Sequence, residues 1–212
     1  MKKLSLIALA ISLASASFAQ SDRYVSAMKG NIAQIDSASM GKGTELANNF
    51  ERIGDAEKTQ WLPYYYAAYC TIIQGMVEQD ASKKDAIADK AKGFIDKAEA
   101  ILGKENSETD VIKAMIATVY MTVDPQSRYM TYGPQIKELT EKSKSLDSTN
   151  PRPLLLQAEN TFYTPEAYGG GKDVAKPLFD KASALNEAFK PETEISPNWG
   201  GPAIKYFLSQ YK

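Results

Sequence analysis

The string TPEAYGGGKD (164–173) sets three glycines before a lysine, which is the closest this chain comes to a phosphate-cradling loop. A loop of that kind needs G-x-x-x-x-G-K-[ST] between a strand and a helix, so that backbone N–H groups surround the phosphates. Here Asp173 follows the lysine, and no glycine stands five residues before Gly170 or Gly171. The glycines therefore predict a corner between two helices, where they supply positive φ and close backbone approach. Free N–H groups at the head of the following helix could still receive an anion. Tyr168 and Lys172 flank the corner as candidate binding residues.

Two further stretches carry chemistry-bearing side chains. In WLPYYYAAY (61–69), Trp61, Tyr64, Tyr65, Tyr66 and Tyr69 spread around a helix at about 100° per residue. Their rings either fill the seam between helices or anchor a ligand, and the spacing of four puts Tyr65 and Tyr69 on one face. In DPQSRYMTYGP (124–134) an inserted loop is expected to hold Asp124, Arg128, Tyr129 and Tyr132. An Asp124–Arg128 pair would close that loop; otherwise Arg128, with Tyr132, would grip a carboxylate or phosphate. The binding candidates are thus Tyr65, Tyr69, Arg128, Tyr132, Tyr168 and Lys172.

Other chemistry is excluded by composition. The chain has no histidine, which removes Ser-His-Asp, Cys-His and histidine-based metal sites. No EF-hand loop is present, and no metal or cofactor is expected. Carboxylate pairs such as Glu138 with Glu141, or Glu192 with Glu194, stand among lysines or in polar loops. They lack the apolar cleft that separates two pKa values, so a carboxylate hydrolase is a remote alternative and no enzyme is expected. Cys70 is the sole cysteine, so no intramolecular disulfide can form, and its apolar neighbours make it a small core residue. With 25 basic and 26 acidic residues there is no basic stripe for nucleic acid and no polybasic cluster for anionic lipid.

The first residues read as a secretory signal. Lys2 and Lys3 precede the apolar LSLIALAISLA, and Ser17 and Ala19 have the spacing a signal peptidase uses. The apolar run is too short to span a bilayer. Cleavage after Ala19 would leave a mature domain of residues 20–212, periplasmic or secreted, with no membrane insertion.

The elements that must position these residues are helices. Ile87, Ala91, Phe94, Ile95, Ala98, Ile101 and Leu102 recur at steps of three and four, and no alternating strand pattern is found. Periodicity and caps place helices near 22–36, 43–56, 60–78, 82–102, 108–121, 134–146, 151–162, 172–188 and 200–211. SKKD (82–85) and SETD (107–110) have the capping-box form. Asn150 and Pro151 start one helix, and Pro177 should fall near the first turn of another.

The later helices also resemble one another. Ala91-x3-Ile95-x2-Ala98 and Ala175-x3-Phe179-x2-Ala182 share a small–large–small spacing, and Ile136-x3-Thr140-x2-Ser143 is a weaker copy. Ile116-Ala117-x2-Tyr120, Trp61…Tyr64 and Leu155-x2-Ala158 supply first-helix partners. The chain resembles the tetratricopeptide-repeat-like helical proteins exported by bacteria, by motif over 60–190 and by helix pairing over 22–56. Anchors at 91, 136 and 175 are spaced wider than the standard repeat of about 34 residues. The excess is assigned to loops at 122–134 and 162–172.

The resemblance implies an all-α, right-handed superhelix of four antiparallel pairs (22–56, 60–102, 108–146, 151–188), with a C-terminal cap over 197–212. It also implies a scaffold that binds another protein or peptide of the cell envelope on its concave face. The alternative is a small-ligand component of a transport system, for which an enclosed pocket of about 300 Å3 or more near Tyr65, Tyr69, Arg128 and Tyr132 would be the mark.

Overall fold

In the computed structural model residues 22–211 are described, so the expected signal at 1–19 lies outside the described residues. All regular structure among them is helical. The order is α1 (22–32), a 3-10 turn Ile35–Met40, α2 (Gly43–Glu57), α3 (Leu62–Val77), α4 (Ala81–Leu102), α5 (Ser107–Met121), α6 (Pro125–Leu146), α7 (Arg152–Tyr163), a 3-10 turn Glu166–Tyr168, α8 (Lys172–Ala188) and α9 (Gly201–Ser209). From α2 onward each helix packs on the next, and α5 also touches both α3 and α7. No helix among the described residues is long and apolar enough to cross a membrane.

The repeated triads are what the second helix of each pair buries. Ala91, Ile95 and Ala98 of α4, Ile136, Thr140 and Ser143 of α6, and Ala175, Phe179 and Ala182 of α8 are all buried. Small side chains there let the axes approach, and the larger one fills the groove between ridges. The polar members of the α6 triad are satisfied locally. Thr140 donates to the Ile136 carbonyl at 3.0 Å, and the Ser143 hydroxyl lies 2.8 Å from that of Ser107.

The core divides into two apolar clusters. One runs from Tyr24 and Met28 of α1 through α2–α6 to Leu156 and Ile195. The other joins α7, α8 and α9 through Leu154, Leu155, Phe179, Ile204 and Phe207. Trp199 packs against both. Phe207 of α9 lies on Phe179 of α8, with ring centroids 4.7 Å apart.

Four local expectations are corrected. The segment 124–133 is helix, not inserted loop: Pro125 takes the first helical position, and the Asp124 carboxylate accepts from the Ser127 N–H at 3.3 Å. Pro134 deprives the Met130 carbonyl of its intrahelical donor, but Pro134 stands on the exposed side, where water can replace it. The extra residues of the repeat therefore lengthen α6 to 22 residues. The capping residues are Asp80 and Asn106, each accepting from the N–H two residues on, rather than the serines of SKKD and SETD. Pro177 is the sixth residue of α8, one turn deeper than expected and exposed. Helix α1 gives way to a 3-10 turn at Ile35 instead of continuing to 36.

Candidate functional site

The six residues selected from sequence fall into three separate neighbourhoods. Tyr65 is fully buried: its hydroxyl donates to Glu108 at 2.8 Å and accepts from the Trp199 indole at 2.8 Å. Tyr69, half-buried, packs its ring on Trp199 at 4.7 Å. Burial pushes the phenols of Tyr65 and Tyr69 well above their ordinary range, so both remain neutral. Around them is a buried polar knot that sequence reasoning missed. The Arg152 guanidinium is 1% exposed and forks onto Glu108, with Nε 2.9 Å from each carboxylate oxygen. Asn150 adds a 2.8 Å bond to the same carboxylate, and Phe189 covers the guanidinium at 4.7 Å. The knot ties α3, α5 and α7 to the C-terminal segment. Removing one partner would leave a buried charge uncompensated.

Arg128 and Tyr132 stand elsewhere, on the first turns of α6. Arg128 does not close a loop with Asp124; its two terminal nitrogens meet the two Asp85 oxygens of α4, the longer contact being 2.8 Å. Tyr132 stacks on Tyr120 of α5 at 5.3 Å. This is the geometry of a helix being fastened down, with the arginine fork already taken.

Tyr168 is exposed on the 3-10 turn of the glycine corner. Gly169 and Gly171 have φ of 81° and 106°, and a Cβ on Gly170 would fall 2.4 Å from the Thr164 carbonyl oxygen. All three glycine N–H groups donate to backbone carbonyls, of Glu166, Pro165 and Thr161 in turn. A corner was expected and a corner is found, with no amide among the three left to cradle a phosphate. Lys172 lies over the Tyr211 ring at 5.1 Å, and its carbonyl accepts from the Tyr211 hydroxyl at 2.7 Å. Both contacts belong to the C-terminal cap.

A concavity of about 730 Å3 opens between α1 and α2, and none of the six residues lines it. Ala27, Ile53 and Ala56 give it an apolar wall, while Arg23, Arg52 and Glu57 give it charge. Its volume lies within the ~300–1,000 Å3 that small-molecule sites occupy. The chain has four arginines. Arg128 and Arg152 are spent on Asp85 and Glu108, whereas Arg23 and Arg52 make no ion pair among the described residues. Tyr24 is 7% exposed, and its hydroxyl has no hydrogen-bond partner among the described residues. Burial, with the Glu57 charge beside it, raises the Tyr24 phenol far above its usual range. The usable sequence signal was the Arg23-Tyr24 pair at the head of the first helix, but a periodicity reading treats that position as surface.

A second, more polar concavity of about 410 Å3 lies among α2, α3 and α4, lined by Thr44, Gln74, Glu78, Lys83 and Lys90 among others. Its cations are lysines, it holds no arginine, and none of its lining residues carries an orphaned buried polar atom among the described residues. No cluster of potential metal ligands occurs among the described residues.

The fold is similar to that of a solved structure, the HusA haemophore from Porphyromonas gingivalis, with a TM-score of 0.78 and 31% sequence identity. The match covers 89% of this chain and 92% of that one. No protein-family model and no curated protein sequence matches the chain.

Proposed function

This chain belongs to the family of the HusA haemophore, and from that premise we propose that it is an exported, non-catalytic protein that binds haem or a closely related tetrapyrrole. The observation that carries the reading is similarity over nearly the full length of both chains. The expected small-ligand alternative is thereby preferred to the peptide scaffold, and a concavity of about 730 Å3 suits a small ligand better than an extended peptide. Export through residues 1–19 and a tetratricopeptide-like superhelical stacking of the pairs form part of the same proposal. The three buried triads and the α3–α5–α7 contacts support that stacking.

The residues of the α1–α2 concavity fit such a cargo. Its apolar wall suits a flat macrocycle, and its two guanidiniums, which make no ion pair among the described residues, suit the carboxylates a haem carries. Haem iron is commonly held by histidine, thiolate, methionine or tyrosine. Histidine is absent, and burial pushes the Cys70 thiol up to about 12, which keeps it protonated inside α3. No methionine lines the concavity, and its one tyrosine, Tyr24, keeps a neutral phenol, so macrocycle contact and carboxylate recognition are the sources of affinity this lining offers.

Titrating ferric haem into the mature chain, followed by absorbance and by quenching of Trp61 and Trp199 fluorescence, tests the proposal. Saturable binding at one haem per chain, in the micromolar range or tighter, is the expected result. A linear response indistinguishable from that of an unrelated helical protein would defeat it.

A further inference from the structure

Resting on that reading, we infer that Arg23, Tyr24 and Arg52 form a carboxylate clamp, which fixes the acidic edge of the ligand while the apolar wall takes its ring. Four observations converge on one cavity. The Tyr24 hydroxyl is buried and has no partner among the described residues while its residue lines an open concavity, and native proteins rarely leave such a group unsatisfied. Both arginines on that concavity lack an ion pair among the described residues, whereas the other two arginines of the chain have one. Arg52 donates to the side chain of Asn49, on the same wall, so its fork is held on the cavity side of α2. Two guanidiniums against the single Glu57 carboxylate leave the lining net positive.

The protonation of Tyr24 decides its role. Glu57 faces it across the cavity wall, and together with burial it keeps the phenol neutral at any physiological pH. A neutral phenol donates a hydrogen bond to a carboxylate oxygen; it does not present a phenolate to iron. The clamp therefore recognises carboxylates whether or not the macrocycle holds a metal, and esterifying them removes what it grips. Charge-assisted bonds of this kind are among the stronger ones in proteins.

The test compares protoporphyrin IX with its dimethyl ester on the full mature chain, by fluorescence titration at low and high salt. The free acid should bind roughly ten- to a hundredfold more tightly than the ester, and should weaken as salt rises. Arg23→Met, Arg52→Met and Tyr24→Phe should each cost the free acid about tenfold and leave the ester unchanged. Equal binding of acid and ester by the wild type, with haem still bound, overturns the clamp and spares the tetrapyrrole reading. Variants that weaken acid and ester alike assign these residues a structural role and also overturn it. Failure of acid, ester and haem together defeats the underlying function. Far-UV circular dichroism on each variant separates a lost contact from a lost fold.

Discussion

Glu159, on α7, shows what the surroundings of one side chain do to its chemistry. It is half-buried and makes no hydrogen bond or ion pair among the described residues. Tyr69 and Tyr163 lie close enough to feel its charge. Desolvation lifts its carboxyl to about 7, against about 4.3 in an unfolded chain. The folded state then holds a proton that the unfolded state has already lost, so stability falls as pH rises from about 4.3 to about 7 and is flat above. Glu159→Gln should abolish that slope and stabilise the protein by up to about 3 kcal/mol at pH 8, with little effect at pH 4. Urea midpoints at the two pH values measure this directly. A midpoint difference between pH 4 and 8 that survives in the variant would place the cause elsewhere.

The helix whose start was misread is the one whose fastening can be tested. The segment from Pro125 to Gly133 is mostly exposed and owes little to core burial. What holds it is the Asp124 cap, the Arg128–Asp85 fork and the stacking of Tyr132 on Tyr120. Surface ion pairs contribute little to global stability, and Asp85 is only half-buried. Arg128→Met should therefore leave the global unfolding midpoint within about 0.5 kcal/mol while opening the head of α6 locally. Hydrogen exchange should speed up at residues 128–133 and stay unchanged beyond Ile136. Uniform acceleration along all of α6 would show that Pro134 does not divide the helix into two units.

Across the whole molecule, the division of the core predicts that its two ends respond separately. Phe207 and Phe179 lie in the α7–α9 cluster, while the candidate cavity lies between α1 and α2 in the other. In the proposed stack of helix pairs, stability would be close to a sum of local and nearest-neighbour terms. Phe207→Ala should cost about 3–5 kcal/mol and destabilise α7–α9 preferentially, while tetrapyrrole affinity stays within about twofold. Joint loss of binding and of the terminal cluster, seen by titration and by residue-resolved exchange, would mean that the two clusters fold as one unit.

Much of the fold was written in one dimension. A 3.6-residue period, small residues at fixed spacing and the corner glycines are local properties, and they specified helices, the buried triads and the turn at 169–171 without reference to distant residues. The missing histidines and the lone Cys70 were equally legible, because composition alone limits chemistry. What sequence could not supply is pairing at a distance. Arg128 meets Asp85 rather than Asp124, Tyr65 meets Glu108 and Trp199, and Arg152 is buried through a carboxylate 44 residues away. The candidate site depends on the same kind of information. Whether Tyr24 is a surface ring or a buried, unpartnered donor depends on how α1 lies against α2, and a hollow between two helices has no signature in the order of residues along either.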